Sequence, residues 1–202
     1  MLAEIVFVLD ETGSMGRIRE DTIGSFNNFV EEQKGVEGEA TMTLVEFSST
    51  PDEDNFRLQY EGVPLKEVEP LAHDTYRPRG FTPLLDAIGS TIDSVSARLE
   101  RTEEEKQPDL VVVAVLTDGL ENASSEYTLE QVKAKVEHQE SEGWKFIFLG
   151  ASMDAVQVGG DMGFAAARSF DASKEGVVRA YAATSSFVTR ARRGKGDTGK
   201  RE

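Results

Sequence analysis

Ile5-Val6-Phe7-Val8-Leu9-Asp10-Glu11-Thr12-Gly13-Ser14 is a run of five apolar residues, three of them β-branched, that ends abruptly in oxygen-bearing side chains. An apolar run without alternation is what a strand covered on both faces requires, and helices supply such cover. Leu110-Val111-Val112-Val113-Ala114-Val115-Leu116 repeats the pattern and ends on Thr117-Asp118-Gly119. Lys145-Phe146-Ile147-Phe148-Leu149 is a third, shorter version, and Thr41 to Phe47 is a mixed case. Phe56, Leu58 and Tyr60 alternate with Arg57 and Gln59, which marks a half-exposed strand near a sheet edge.

Amphipathic segments separate these strands. Ile18, Ile23, Phe26 and Val30 recur at near-helical spacing; Leu84, Ile88, Ile92, Val95 and Leu99 do so over four turns; Leu129, Val132 and Val136 form a third stripe. A last helix is expected on Val178, Tyr181, Ser185 and Val188. Ser49 to Arg79 carries many charges and four prolines, so the edge strand there is expected between long loops. The alternation predicts an α/β fold, doubly wound, with a mostly parallel central sheet and helices on both faces. One domain is expected over residues 1–189, followed by a basic, disordered tail over 190–202 containing Arg190, Arg192, Arg193, Lys195, Lys200 and Arg201.

Composition narrows the partners. Against 37 Asp and Glu stand 22 Lys and Arg, a formal charge of −15. Such a body repels phosphate backbones and anionic lipid, so neither nucleic acid nor membrane is the expected partner. Cysteine is absent, which excludes disulfides and thiolate metal sites. The longest purely apolar run, Leu110 to Leu116, falls far short of the roughly 20 residues of a spanning helix, and no export signal is visible, so a cytoplasmic location is expected.

In open parallel sheets, functional groups gather beyond the carboxyl ends of the strands. There Asp10, Thr12 and Ser14 alternate along one loop, Thr82 precedes the long second helix, and Asp118 follows the Leu110 to Leu116 strand. Three loops thus deliver oxygen donors to one edge of the sheet. Oxygen-only donors suit a hard cation, Mg²⁺ first and Mn²⁺ or Ca²⁺ next. Hydroxyls bind such an ion without neutralising it, so its vacant position attracts a carboxylate from outside.

The segment Asp10-x-Thr12-x-Ser14, with Thr82 and Asp118 on later loops, resembles the metal-ion-dependent adhesion site of von Willebrand factor type A domains. The likeness extends over about residues 3 to 188 through the order of elements and is strongest from Ile5 to Gly16. It implies that Thr12 and Ser14 donate hydroxyls to the metal, that Thr82 approaches it when a partner is bound, and that Asp10 and Asp118 act mainly through coordinated waters. It further implies one short antiparallel edge strand, and a non-enzymatic module that grips an Asp or Glu of a protein partner. Thr12 stands where that family usually has Ser; the hydroxyl is kept and a methyl is added.

Plainer roles exist for each residue. Asp10 and Ser14 suit a turn and a helix cap, Thr82-Pro83 an N-cap and first-turn pair, and Asp118-Gly119 an ordinary turn. A metal-dependent hydrolase of phosphatase type, with Asp10 as nucleophile, is the alternative function; it lacks a second loop carboxylate at position 12 and an evident lysine for the phosphate. Nucleotide binding has no Gly-x-Gly-x-x-Gly or Walker pattern behind it. His73 and His138 are isolated, and Trp144 is expected to pack beside the strand that follows it.

Overall fold

The computed structural model describes residues 1–50, 56–151 and 154–194. Its first strand, β1 (Leu2–Asp10), is buried from Ala3 onward, as its unbroken apolar character requires. A 3₁₀ turn (Gly13–Ile18) leads into α1 (Arg19–Lys34), followed by β2 (Glu39–Phe47) and β3 (Phe56–Pro64). The chain continues through α2 (Leu84–Arg101), β4 (Leu110–Thr117), α3 (Leu129–Ser141), β5 (Lys145–Gly150), α4 (Ala155–Asp161), β6 (Ala167–Ser169) and α5 (Lys174–Arg192). The six strands lie in the order β3-β2-β1-β4-β5-β6, all parallel except β3, which runs antiparallel to β2.

Alternate residues of the buried strands feed two cores. Ile5, Phe7, Leu9, Ala114 and Leu116 pack with Phe26, Phe29 and Val30 of α1 and Val177, Tyr181 and Val188 of α5. Val6, Val8, Val113 and Val115 pack on the opposite face with Leu84, Ile88 and Ile92 of α2, Val132 and Val136 of α3, and Ala155 of α4. Because β1 is followed by β2 on one side and flanked by β4 on the other, the direction of winding reverses between β1 and β4. That reversal opens a crevice beyond the ends of these two strands.

Several expectations shift. The short α4 and β6 carry too few apolar residues for periodicity to reveal them. The α5 stripe is centred on Val177, fully buried, while Val178 is 51% exposed, and Leu129 begins α3 half-exposed. Along β3, a bulge pairs Tyr60 with Leu44 but Leu58 with Val45, so Leu58 turns away from Tyr60's face and lies 39% exposed. Trp144 is buried and stacks on Phe146.

The expected tail over 190–202 is corrected at its start. Helix α5 continues to Arg192, whose buried guanidinium donates to the carbonyls of Gln33 at 2.7 Å, Gly38 at 3.1 Å and Val36 at 3.3 Å. These carbonyls lie at and just beyond the end of α1, where backbone acceptors lack helical partners, and the arginine supplies the donors. Lys195, Lys200 and Arg201 lie outside the described residues. No helix among the described residues is long and apolar enough to cross a membrane.

Candidate metal centre

Asp10 ends β1 at the floor of the crevice, wholly buried. Its Oδ1 accepts the Thr12 amide at 2.7 Å, and its Oδ2 accepts the Thr117 hydroxyl at 2.5 Å from the neighbouring end of β4. Burial pushes the Asp10 carboxyl up to about 6 against the pull of the Thr117 and Thr12 donors, and the nearby Asp118 charge adds to the rise. The Thr12 and Ser14 hydroxyls lie 3.2 Å apart, and Ser14 Oγ donates to Asp118 Oδ1 at 2.5 Å. Asp118 Oδ2 accepts from the half-exposed Arg17 guanidinium at 3.1 Å.

Thr82 is reached through Gly119. A Cβ on Gly119 would stand 2.8 Å from the Thr82 Oγ1, so only glycine allows the hydroxyl to come this close to the Asp118 corner. Asp10, Thr12, Ser14 and Asp118 therefore form one chain of polar contacts, Asp10 and Thr12 joined through the Thr12 backbone amide, with Thr82 at its side. The depth is graded: Asp10, Thr12 and Thr82 are buried, whereas Ser14 lies at the exposed rim.

The helix-capping roles do not hold. Neither Thr12, which precedes the 3₁₀ turn, nor Ile18, which precedes α1, makes a side-chain cap. Pro83, not Thr82, is the cap residue of α2. The hydroxyls of Thr12, Ser14 and Thr82 are thus turned to the crevice cluster or its edge and away from helix ends.

Residues the sequence reading passed over hold these loops together. Thr117 Oγ1 bridges Asp10 to Gly119, accepting the Gly119 amide at 3.1 Å; its sequence signal is a hydroxyl closing an otherwise apolar strand. Asn122 pairs with the Thr82 backbone, its Oδ1 accepting Thr82 N at 2.8 Å and its N donating to Thr82 O at 3.1 Å. Glu121 accepts the amides of Leu85, Ala123 and Ser124. Asp86, in the first turn of α2, accepts those of Ser125, Glu126 and Tyr127. The loop after β4 is therefore fastened to the start of α2 by carboxylate and amide side chains that no periodicity marks.

Glu11 performs a similar task on the other side. It points inward, accepts the Arg77 amide, and meets Arg57 Nη2 of β3 at 3.0 Å. The same guanidinium nitrogen lies 2.7 Å from Glu46 Oε2, though without the alignment of a hydrogen bond. One cation thus serves two buried carboxylates. Burial pushes the Glu46 carboxyl up to about 8 against the pull of Arg57, and the charge of Glu11 adds to the rise.

Among the described residues no group of three or more His, Cys, Asp or Glu is gathered around a point. The crevice instead offers two carboxylates and three hydroxyls. This donor set matches a small hard cation that retains water, and it contains neither thiolate nor imidazole.

Comparison with known proteins follows the same line. A family model of the von Willebrand factor type A domain matches residues 4–186. No curated protein matches the chain in sequence. Among solved structures, the pilus adhesin SpaC of Lactobacillus rhamnosus GG superposes with a TM-score of 0.65 at 12% identity, covering 94% of this chain and 30% of its own. Proximal thread matrix protein 1 of the mussel byssus, with a zinc-occupied MIDAS motif, gives 0.60 at 14% identity over 93% of this chain and 46% of its own. The PilB minor pilin of Streptococcus sanguinis gives 0.60 at 12% identity over 95% and 62%. The chain thus spans less than two thirds of each of these proteins, and at such identities the likeness is one of fold.

Proposed function

Because the chain belongs to the von Willebrand factor type A domain family, we propose that its crevice holds one divalent cation between Asp10, Thr12, Ser14, Thr82 and Asp118 and through it binds a carboxylate of a protein partner. The observation that carries this reading is the meeting of three hydroxyls and two carboxylates where the sheet reverses its winding. When bound, the cation supplies a Lewis-acidic position open to an outside oxygen.

The chain's own groups divide the work. Thr117 and the Thr12 amide fix both Asp10 oxygens, so the floor of the crevice is set by the sheet. Ser14 at the rim donates to the buried Asp118 carboxylate, and their mutual hydrogen bond is the contact a cation would replace. The zinc-occupied MIDAS of the mussel byssus protein supports a divalent ion in a site of this fold. Mg²⁺ is the first choice on donor chemistry, with Mn²⁺ or Ca²⁺ next. A non-enzymatic role is favoured over the phosphatase-type alternative because Asp10, the nucleophile which that alternative requires, is wholly buried with both oxygens already accepting hydrogen bonds.

Calorimetric and electron-paramagnetic titration with Mg²⁺ and Mn²⁺ tests the metal. One saturable site, lost in Asp118→Ala with the circular-dichroism spectrum unchanged, is the expected result; no binding by the unaltered protein would overturn the proposal. Capture of a protein partner is expected to fail in excess EDTA, and equal capture there would remove the metal from the interaction.

A further inference from the structure

The two most exposed large apolar side chains among the described residues are Leu120 at 62% and Phe81 at 61%. Each is the chain neighbour of a residue at the crevice: Phe81 precedes Thr82, and Leu120 follows Gly119, which packs against Thr82. Their backbones are pinned. Phe81 exchanges two hydrogen bonds with Ser49, N to O at 2.9 Å and O to N at 3.0 Å. The preceding Gly80 takes a φ of +71°, in a turn where a Cβ would fall 2.2 Å from the Ser49 carbonyl. Leu120 lies between Gly119, held by Thr117, and Glu121, whose carboxylate gathers three backbone amides. Large apolar groups displayed on fixed backbone beside a polar centre are the makings of an interface hot spot, because little ordering entropy remains to be lost on contact.

Charge decides what fits against them. The chain carries a formal charge of −15, so a strongly acidic surface is repelled on approach. The crevice offsets this only locally, through a bound cation and the half-exposed Arg17 guanidinium beside Asp118. A partner carboxylate isolated among apolar groups meets less of the repulsion and also gains contact with Phe81 and Leu120.

We propose that Phe81 and Leu120 form an apolar collar that selects a protein epitope in which a single carboxylate is flanked by apolar side chains, and that the collar discriminates against runs of acidic residues. This rests on the metal-dependent reading above.

The test uses the whole chain loaded with Mn²⁺, reading displacement of metal-bound water by water-proton relaxation as acetate, 3-phenylpropionate or a pentaglutamate peptide is added at physiological salt. We expect 3-phenylpropionate to bind about tenfold more tightly than acetate, in keeping with partial burial of one ring. Pentaglutamate should gain nothing over acetate per carboxylate. In the double variant Phe81→Ser, Leu120→Ser the two monocarboxylates should bind alike while Mn²⁺ affinity stays unchanged. Equal affinities in the unaltered protein, or tighter binding of pentaglutamate, overturn the collar and leave the metal site standing. Bound Mn²⁺ whose water no carboxylate displaces overturns the carboxylate reading itself, and absence of Mn²⁺ binding overturns the metal site.

Discussion

Replacing Asp86 by Ala removes the acceptor of three amides, with Oδ1 taking Glu126 N at 2.9 Å and Tyr127 N at 2.8 Å and Oδ2 taking Ser125 N at 2.8 Å. The carboxylate is 5% exposed, so it is a buried charge whose solvation comes from those donors. Hydrogen bonds to a charged group contribute about 1.5–3 kcal/mol each, and the full sum is an upper bound. Ser125 and Glu126 are themselves exposed, so water can reach part of the vacated donors. A loss of about 3 kcal/mol is the resulting expectation. For a chain of this size that corresponds to a fall in Tm of about 6–12 °C. Asp86→Asn keeps one oxygen for Glu126 and Tyr127 and turns an amino group toward Ser125, so it should cost about 1–2 kcal/mol. Urea unfolding followed by circular dichroism measures both, and amide exchange should report lost protection at Ser125, Glu126 and Tyr127 in the Ala variant. Asp86→Ala within about 0.5 kcal/mol of the unaltered protein, the ordinary scatter of surface substitutions, would refute the view that this carboxylate fastens the loop.

Other perturbations probe the same construction. Thr117→Val preserves shape but takes a donor from the buried Asp10 carboxylate; stability should fall by about 1–3 kcal/mol and Mn²⁺ affinity should drop, as read by denaturation and paramagnetic titration. Gly119→Ala places a methyl 2.8 Å from the Thr82 hydroxyl and should weaken Mn²⁺ binding more than it lowers the urea midpoint; unchanged affinity would mean Thr82 is not needed at the metal. Burial raises the Glu46 carboxyl to about 8 in the folded protein from 4.5 in the unfolded chain, so its contribution to stability is complete at low pH and is lost as pH rises through that interval. Glu46→Gln should flatten this decline, so that the unaltered protein loses stability relative to the variant by a few kcal/mol between about pH 4 and 9, which paired urea titrations across pH would show.

The elements that the sequence disclosed are those whose burial is one-sided or complete. The strands begun by Ile5 and Leu110 are covered on both faces, so nothing interrupts their apolar runs, and the long stripe from Leu84 is legible because α2 lies on the sheet for five turns. What stayed hidden depends on contacts between distant segments. The three-residue β6 exists through its pairing with β5, and the reversal of Leu58 arises from a bulge against β2. The ending of α5 was hidden for a related reason: Arg192 reads as a tail charge until the carbonyls after α1 are placed beside it. At the crevice, Asp10, Thr12, Ser14, Thr82 and Asp118 could be nominated as candidates from the sequence because each follows an apolar strand or precedes a helix. Asp86, Glu121 and Asn122 sit in the same loop and first helical turn, but the contacts by which they join the two segments span 36 to 41 residues, which no local pattern discloses.

Both margins of the sheet are blunted. On one side β6 offers three residues, and on the other β3 is bulged, carries Arg57 and Glu61, and ends at Pro64. Neither side presents a long flat row of free amides and carbonyls onto which a foreign chain could add as a further strand. Strand-to-strand addition at either margin is therefore disfavoured, and under the proposed metal-dependent reading association falls to the loop end of the molecule, where side chains rather than backbone would make the contacts.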